Sequence, residues 1–187
     1  MNRNQKRTRV GTVIIILIGF VLGISVGTIH RQGPVEAPLE SHNQPVTILR
    51  AVPIEIPRDR INFTNNELDQ LQKLVMCEAG GENFLTQLLV ASTIVNRVES
   101  DIWPDTLDAV INQRNPWQFT PVAWGLLERT EASESVLEAV RLGLEFDYAK
   151  GCTVFNNGAQ TPKNAQKWFE TMELVYDIGN TQFRIYN

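Results

Sequence analysis

The sequence has 187 residues, and its 43% apolar content is that of a globular protein with a packed core. The net charge of −4 is uneven: four of the 17 basic residues lie in the first nine positions, and the rest combines 13 basic with 21 acidic residues, a balance of −8. Such a chain is repelled by phosphate backbones, which argues against nucleic acid as a partner, and two histidines and two cysteines are too few for a metal site built from those ligands. No cofactor is predicted.

The N-terminal residues have the pattern of a membrane anchor. Residues 10–29 contain no charged side chain and match the thickness of a bilayer core, whereas residues 1–9 are basic. Because basic residues stay on the cytoplasmic side, we predict a single-pass protein of the cell membrane with a cytoplasmic N-terminus. The alternative is a cleaved signal peptide. The apolar run is longer than a usual signal core and no A-x-A site follows it, which favours the anchor.

A proline-rich segment follows the predicted anchor. Residues 30–60 contain five prolines and few large apolar side chains, which is typical of an extended linker. The folded domain is therefore predicted to cover residues 61–187.

Four helices are predicted in this domain. Thr64 and Glu67 form a capping box at the start of the first helix, and Gly80 follows its end. Between them, apolar residues recur at helical spacing at Leu68, Leu71, Leu74 and Val75. The other helices are predicted over residues 84–99, 106–112 and 133–146.

The last part of the domain has the pattern of short strands. Residues 153–155 predict one strand, and residues 174–176 and 182–186 flank a turn at 177–180, as in a hairpin. The predicted fold class is therefore α+β: a helix-rich domain with a small sheet.

Glu78 is the unusual residue of the first helix. It lies three residues after Val75 and seven after Leu71, on the apolar face. Burying an unpartnered carboxylate is costly and raises its pKa, which makes Glu78 a candidate general acid. The two glycines after it would leave room for a substrate. The alternative is a structural glutamate that pairs with a buried donor such as Arg97.

Residues 75–82, Val-Met-Cys-Glu-Ala-Gly-Gly-Glu, resemble the signature of the cell wall hydrolase family typified by the catalytic domain of spore cortex-lytic enzymes. The Cys-Glu-x-Gly-Gly stretch is also similar to the catalytic segment of resuscitation-promoting factors. The resemblance covers residues 68–186. Its further elements are Gln87, Asn96, Arg97, Val98, residues 103–106, residues 118–121, Phe155, Asn157, Trp168, residues 178–180 and Phe183.

The resemblance implies a lysozyme-like or lytic-transglycosylase-like fold and a role in cleaving the glycan strands of peptidoglycan. It also implies that Glu78, the first acid of the signature, is the catalytic acid. Two positions depart from the family: Gly80 stands where arginine is frequent, and Thr181 where histidine is frequent. Neither departure removes the acid, so both bear on substrate details.

Sugar binding requires hydrogen-bonding groups and flat apolar faces. Gln118, Thr120 and Asn157 can supply amide and hydroxyl groups, whereas Phe119 and Phe155 can supply aromatic faces. These five residues are the predicted substrate contacts. The alternative for the two phenylalanines is the hydrophobic core, where large aromatic residues are more common.

Further residues are predicted to support the motif. Asn96 and Arg97 would brace it, whereas Glu82 would either act beside the catalytic acid or only cap the second helix. Cys77 and Cys152 stand where the resembling family usually has small residues, and the domain is predicted to face an oxidising exterior. They are therefore a candidate disulfide, the alternative being two free core cysteines.

A single glutamate predicts substrate-assisted chemistry. Glu78 would protonate the oxygen between N-acetylmuramic acid and N-acetylglucosamine, and the resemblance favours a lytic transglycosylase that forms 1,6-anhydro ends. The alternatives are hydrolysis by water and a non-catalytic, wall-binding module. His30 and His42 both precede residue 61, so the domain lacks the histidine of a serine or cysteine triad and of an H-E-x-x-H site.

Overall fold

The computed structural model describes residues 56–58, 62–114 and 117–186. The predicted cytoplasmic segment, the transmembrane helix at 10–29 and residues 30–55 of the predicted linker lie outside this range. None of the helices within it has both the length and the apolar character needed to cross a bilayer.

The first helix, α1, spans Asn65–Ala79 and begins with the predicted capping box. The Thr64 hydroxyl accepts a hydrogen bond from the Glu67 amide at 3.2 Å, and the Glu67 carboxylate accepts one from the Thr64 amide at 2.9 Å. Together they satisfy two of the amides that a helix start leaves unpaired. Gly80 is the C-terminal cap, as the sequence predicted.

The second helix, α2, spans Phe84–Glu99 and is the centre of the domain. Its residues from Thr86 to Arg97 are all buried, and it packs against α1 and the later helix α5, Glu134–Glu145. A helix that is apolar on most of its surface is expected to be enclosed in this way. The cap of α2 is Asn83, whose side chain accepts a hydrogen bond from the Thr86 amide at 3.0 Å. Glu82 therefore lies in the loop and does not cap α2.

The remaining helices divide into predicted and unpredicted ones. Helix α3, Leu107–Ile111, lies inside the range predicted as 106–112, and α5 lies inside 133–146. Helix α4, Thr120–Ala123, a 3₁₀ turn at Leu127–Arg129 and helix α6, Lys163–Phe169, were not predicted. They are at most two turns long, so no apolar repeat is present to indicate them.

Three antiparallel strands form one sheet in the order β1-β3-β2. Their bounds are Val154–Asn157 for β1, Glu173–Ile178 for β2 and Thr181–Ile185 for β3. Gly179 has a φ of +62° in the turn between β2 and β3, a conformation that glycine adopts without strain. The predicted strand and hairpin are confirmed, and the helix-rich α+β class with them.

Side chains on the two faces of the sheet enter two hydrophobic clusters. Phe183 and the partly buried Phe155 pack into the main core, which the helices α1, α2, α3 and α5 complete. On the other face, Val154 packs with Phe169 of α6 in a smaller cluster that also contains Trp103, Ala165 and Met172. The sheet therefore has different neighbours on its two faces.

The domain begins before residue 61, the start that the sequence predicted. Pro57 pairs with Phe146, and the Arg58 amide donates to the Glu145 carbonyl at 3.1 Å. The Arg58 side chain is only 2% exposed. Its guanidinium group bonds to the carbonyls of Gly143 and Ser92 and to the side chains of Asn96 and Glu99. Residues 56–58 of the predicted linker thus belong to the packed domain.

Candidate active site

Glu78 lies in the last turn of α1, on the helix face that its spacing predicted. The residue keeps some contact with solvent, but protein surrounds the carboxyl group. This burial raises the pKa of Glu78 to about 7, against a smaller opposing effect of the Arg97 cation. None of the other carboxylates among the described residues contributes to the shift. Glu78 is thus a carboxylic acid that gains and loses its proton near neutral pH.

Arg97 is the charged neighbour of Glu78 and is buried on α2. Its Nε donates to the Thr153 carbonyl at 2.7 Å, and its guanidinium carbon lies 4.4 Å from the ring centre of Trp103 and 5.1 Å from that of Phe119. Its Nη1 has no hydrogen-bond partner in the described part of the chain. Burial lowers the pKa of Arg97 to about 10, which leaves it a cation at neutral pH.

Glu78 and Arg97 influence each other electrostatically without forming an ion pair. Within the described ranges, no nitrogen–oxygen distance of 4.0 Å or less joins them, and no hydrogen bond to the Glu78 carboxyl group occurs. The structural alternative, a glutamate neutralised by direct pairing, therefore does not describe this site. An arginine at longer range stabilises the carboxylate once it forms but does not hold it ionised.

The loop after Glu78 is held by Gln87 of α2. The Gln87 amide nitrogen lies 3.1 Å from the Glu82 carbonyl and 3.4 Å from that of Gly80, and its oxygen accepts from the Ser135 hydroxyl at 2.6 Å. A side chain at Gly81 would meet no atom within 4 Å, so the surface is open there. The loop is thus held on the side that faces α2 and is open to solvent at Gly81.

Gly80 has a packing role that the sequence did not predict. A Cβ atom at this position would lie 2.5 Å from the Met76 carbonyl oxygen, closer than such atoms approach. A side chain at Gly80 would require the end of α1 to shift, and only Gly81 provides the predicted open space.

The Gln118 to Thr120 segment leads into α4, which contacts α1. Gln118 and Thr120 are both buried, and the side-chain oxygen of Gln118 has no hydrogen-bond partner within the described ranges. Phe119 is 2% exposed and lies in the main core, with its ring next to Arg97. The predicted stacking of Phe119 on a sugar is therefore wrong, because the ring is enclosed by protein.

The two predicted substrate contacts on β1 also serve the fold. The Phe155 ring centre lies 6.5 Å from that of Phe119 and 6.2 Å from that of Phe183, so it belongs to a row of core aromatics. The Asn157 side-chain oxygen accepts a hydrogen bond from the Gln160 amide at 3.2 Å and supports the turn after the strand. Both residues retain partial exposure.

Asn96 joins separate parts of the chain near the site. Its amide nitrogen donates to the Cys152 carbonyl at 2.9 Å and to the Asp147 carboxylate at 3.0 Å, and its oxygen accepts from Arg58. Arg97 next to it reaches the Thr153 carbonyl, so two successive residues of α2 fix the start of β1.

The predicted disulfide is absent, since Cys77 and Cys152 are both free. Cys77 on α1 lies 3.3 Å from the Thr130 hydroxyl, whereas Cys152 is buried in the main core next to Asn96. The two thiols thus have different neighbours. Burial raises the pKa of Cys152 to about 12 and that of Cys77 as well, so both are protonated at neutral pH.

Trp124 is a candidate substrate contact that the sequence analysis did not identify. It caps the C-terminus of α4 and is 61% exposed. An aromatic ring held on a short helix and open to solvent is a surface on which a sugar can stack. In the sequence, a tryptophan followed by glycine is only a weak indication of a sugar-binding position, because α4 itself was not predicted.

The described ranges contain no group of three or more His, Cys, Asp and Glu side chains arranged to hold a metal ion. Glu78 can supply proton transfer at this site, and Arg97 can supply electrostatic stabilisation.

Comparison with known proteins identifies the family. The sequence profile of the Cell Wall Hydrolase family matches residues 81–184, more than half of the chain, and begins directly after Gly80. The spore cortex-lytic enzyme of Bacillus cereus strain ATCC 14579 is 36% identical over 124 residues, which are 65% of this chain and 45% of that enzyme. The spore cortex-lytic enzyme of Bacillus subtilis strain 168 is 36% identical over 81 residues, 42% of this chain and 26% of that enzyme. The chain thus spans less than half the length of these relatives.

Solved structures match the same domain. The catalytic domain of the germination-specific lytic transglycosylase SleB from Bacillus anthracis has a TM-score of 0.59 and 29% identity, and the match covers 66% of this chain and 97% of that domain. The catalytic domain of the Bacillus cereus SleB protein has a TM-score of 0.56 and 27% identity, with 68% and 97% covered. The chain belongs to the cell wall hydrolase family.

Proposed function

We propose that this protein cleaves the glycan strands of peptidoglycan between N-acetylmuramic acid and N-acetylglucosamine, with Glu78 as the proton donor. The observation that carries the proposal is the state of Glu78: a carboxyl group without a described hydrogen bond, with a pKa of about 7, beside an open loop. Membership of the cell wall hydrolase family and the lytic transglycosylase named among the similar structures support the substrate class.

The reaction begins with proton transfer from neutral Glu78 to the glycosidic oxygen. The bond from that oxygen to the anomeric carbon breaks, and the N-acetyl carbonyl of the same sugar stabilises the positive charge. Glu78 is now a carboxylate, and the Arg97 cation lowers the free energy of this state. The carboxylate then takes the proton of the sugar's 6-hydroxyl group, whose oxygen attacks the anomeric carbon. The product has a 1,6-anhydro end, and Glu78 is neutral again.

A lytic transglycosylase requires one acid, whereas ordinary glycosidases use two carboxyl groups about 5–9.5 Å apart. No second carboxylate within the described ranges influences the pKa of Glu78, which favours the substrate-assisted reaction. Hydrolysis is the second candidate, because water can replace the 6-hydroxyl group as the final nucleophile.

We further propose that residues 10–29 anchor the protein in the cell membrane and that the domain acts outside the cell. The uncharged length of this segment and the basic residues before it support this location. Residues 30–55 would then be the tether between the membrane and the packed domain.

The test is the digestion of purified peptidoglycan by the full chain, with mass spectrometry of the released fragments. Anhydro ends are expected, whereas reducing ends would identify a hydrolase. Glu78→Gln keeps the shape of the side chain but cannot donate the proton, so it should lower the rate about 10²- to 10⁴-fold. Glu128→Gln, at an exposed glutamate, is the matched control. If neither the wild type nor Glu78→Gln releases any fragment, the proposed cleavage is wrong, and a non-catalytic module is the remaining alternative.

A further inference from the structure

A groove of about 230 Å³ lies between β1, β3 and α6. The groove is formed by residues other than those around Glu78. Asn156, Gly158, Thr161, Gln182 and Arg184 line it, together with Phe169 and the exposed Gln166 and Glu170.

The groove faces away from the main core. In the antiparallel pair of β1 and β3, Asn156 lies opposite Gln182 and Val154 lies opposite Arg184. Since successive side chains of a strand point to opposite faces, these residues share the face of the smaller cluster, and Phe155 and Phe183 take the other. Helix α1, which carries Glu78, packs in the main core. The groove shares no lining residue with the residues described around Glu78.

Two buried polar atoms in the groove lack a hydrogen-bond partner among the residues that the structure describes. Asn156 is 5% exposed; its nitrogen donates to the Thr161 hydroxyl at 2.9 Å, but its oxygen accepts no hydrogen bond. Arg184 is 8% exposed; its two terminal nitrogens donate to the Met172 carbonyl and the Gln182 side chain, but its Nε has no acceptor. Asn156 thus has an unused acceptor and Arg184 an unused donor, and both atoms are covered by protein, so a ligand reaches them only when a neighbouring side chain moves.

This pair of atoms specifies the chemistry of a ligand. A carboxylate or phosphate can pair with Arg184 once Gln182 moves, but the Glu170 carboxylate also lines the groove and repels an anion. An anion also has no hydrogen to give to the Asn156 oxygen. A secondary amide has both a carbonyl oxygen and an N–H group, so it satisfies the donor and the acceptor together.

Gln182 shows that the groove accommodates an amide. Its oxygen accepts from Arg184 Nη2 at 2.8 Å and its nitrogen donates to the Asp177 carboxylate at 3.0 Å. The same carboxamide lies against Gly158, where a Cβ atom would be 3.3 Å from the Gln182 Cδ. Gln182 is partly exposed, so it is the side chain that an incoming ligand displaces.

We propose that this groove binds a secondary amide group, which displaces the Gln182 carboxamide and pairs with the Asn156 oxygen and the Arg184 Nε. The amide can be the acetamido group of an N-acetylated sugar or a peptide bond. Peptidoglycan contains both, so the assignment of the ligand to the cell wall rests on the proposed function. Binding at the groove itself does not depend on cleavage.

The test uses the full chain carrying Glu78→Gln, so that no probe is cleaved. The probes are an N-acetylglucosamine tetramer, the same tetramer without acetyl groups, and N-acetyl-alanyl-alanine amide. NMR follows the Arg184 Nε–H signal, assigned by its loss in Arg184→Lys. A shift with the acetylated sugar alone identifies a sugar ligand, and a shift with the peptide alone identifies a peptide ligand. A shift with both supports a site for the secondary amide group that the two probes share, since the peptide is acetylated too. No shift with either, or an equal shift with the deacetylated tetramer, overturns the proposal.

Two substitutions should change the affinity in opposite directions. Gly158→Leu fills the groove and should weaken binding of the responding probe about tenfold, whereas Gln182→Ala removes the competing carboxamide and should strengthen it. Ala159→Leu adds the same side chain on the exposed turn next to the groove and should leave the affinity unchanged. If Ala159→Leu weakens binding as much as Gly158→Leu does, the site is not this groove. Failure of cleavage with intact binding would contradict only the proposed function.

Discussion

Arg58 and Glu78 are both ionisable side chains enclosed by the same domain, but their surroundings are opposite. Arg58 donates hydrogen bonds to two carbonyls and two side chains, and Asp147 lies 3.5 Å away. Glu78 has no hydrogen bond among the described residues, and only the Arg97 cation partly offsets its burial. A buried charged group whose hydrogen bonds are all satisfied contributes to folding. A buried carboxyl group without such partners can exchange a proton with a substrate.

The largest effect of removing one of these two side chains is expected at Arg58. Arg58→Met keeps the aliphatic stem but leaves Asn96 and Asp147 without their buried cation, so the free energy of unfolding should fall by about 3 kcal/mol or more. Urea denaturation measures this change. Arg141→Met is the matched control, because Arg141 also forms two ion pairs but at the exposed surface of α5, and it should leave the stability unchanged. Equal effects of the two variants would contradict the structural role of Arg58.

Replacing Glu78 should have the opposite effect to replacing Arg58 and should stabilise the folded state above pH 7. Its folded pKa of about 7 exceeds the ordinary value of 4.5, so the folded state holds a proton that the unfolded state releases between these pH values. Wild-type stability should therefore fall by up to about 3 kcal/mol as the pH rises from 4.5 to 7. Glu78→Gln should be more stable than the wild type above pH 7, and the difference should vanish near pH 4.

Denaturation curves at several pH values measure this difference. Glu128→Gln again serves as the control, since an exposed glutamate should give no such difference. A wild type and a Glu78→Gln variant with parallel pH profiles would mean that Glu78 is solvated and ionised like a surface residue.

The smallest effect is expected at the capping box, where the Glu67 carboxylate has its hydrogen-bond partners at the exposed surface. Thr64→Ala removes the hydroxyl that accepts from the Glu67 amide and should lower the free energy of unfolding by about 1 kcal/mol. Thr64→Ser retains the hydroxyl and should lose much less. Thermal unfolding distinguishes the two, and equal losses would show that the cap does not contribute.

Much of the fold was predictable because its signals are local. Helix α2 was predicted with the bounds that the structure has, and the capping box fixed the start of α1. Helices α4 and α6 were missed because short segments contain too few residues for a period to emerge. The residues around the site were harder to predict. Phe119 has an aromatic ring of the kind that stacks on sugars, but its exposure depends on which elements cover it.

The sequence by itself determined the α+β class, the order of most elements and the position of Glu78 on an apolar helix face, since each follows from periods and caps within a few residues. Only the tertiary structure decided that Arg58 belongs to the domain, that Cys77 and Cys152 are free, and that a polar groove lies opposite the main core. These features join residues far apart in the chain. Burial, and with it the pKa of a carboxyl group, depends on such distant contacts rather than on neighbours in sequence.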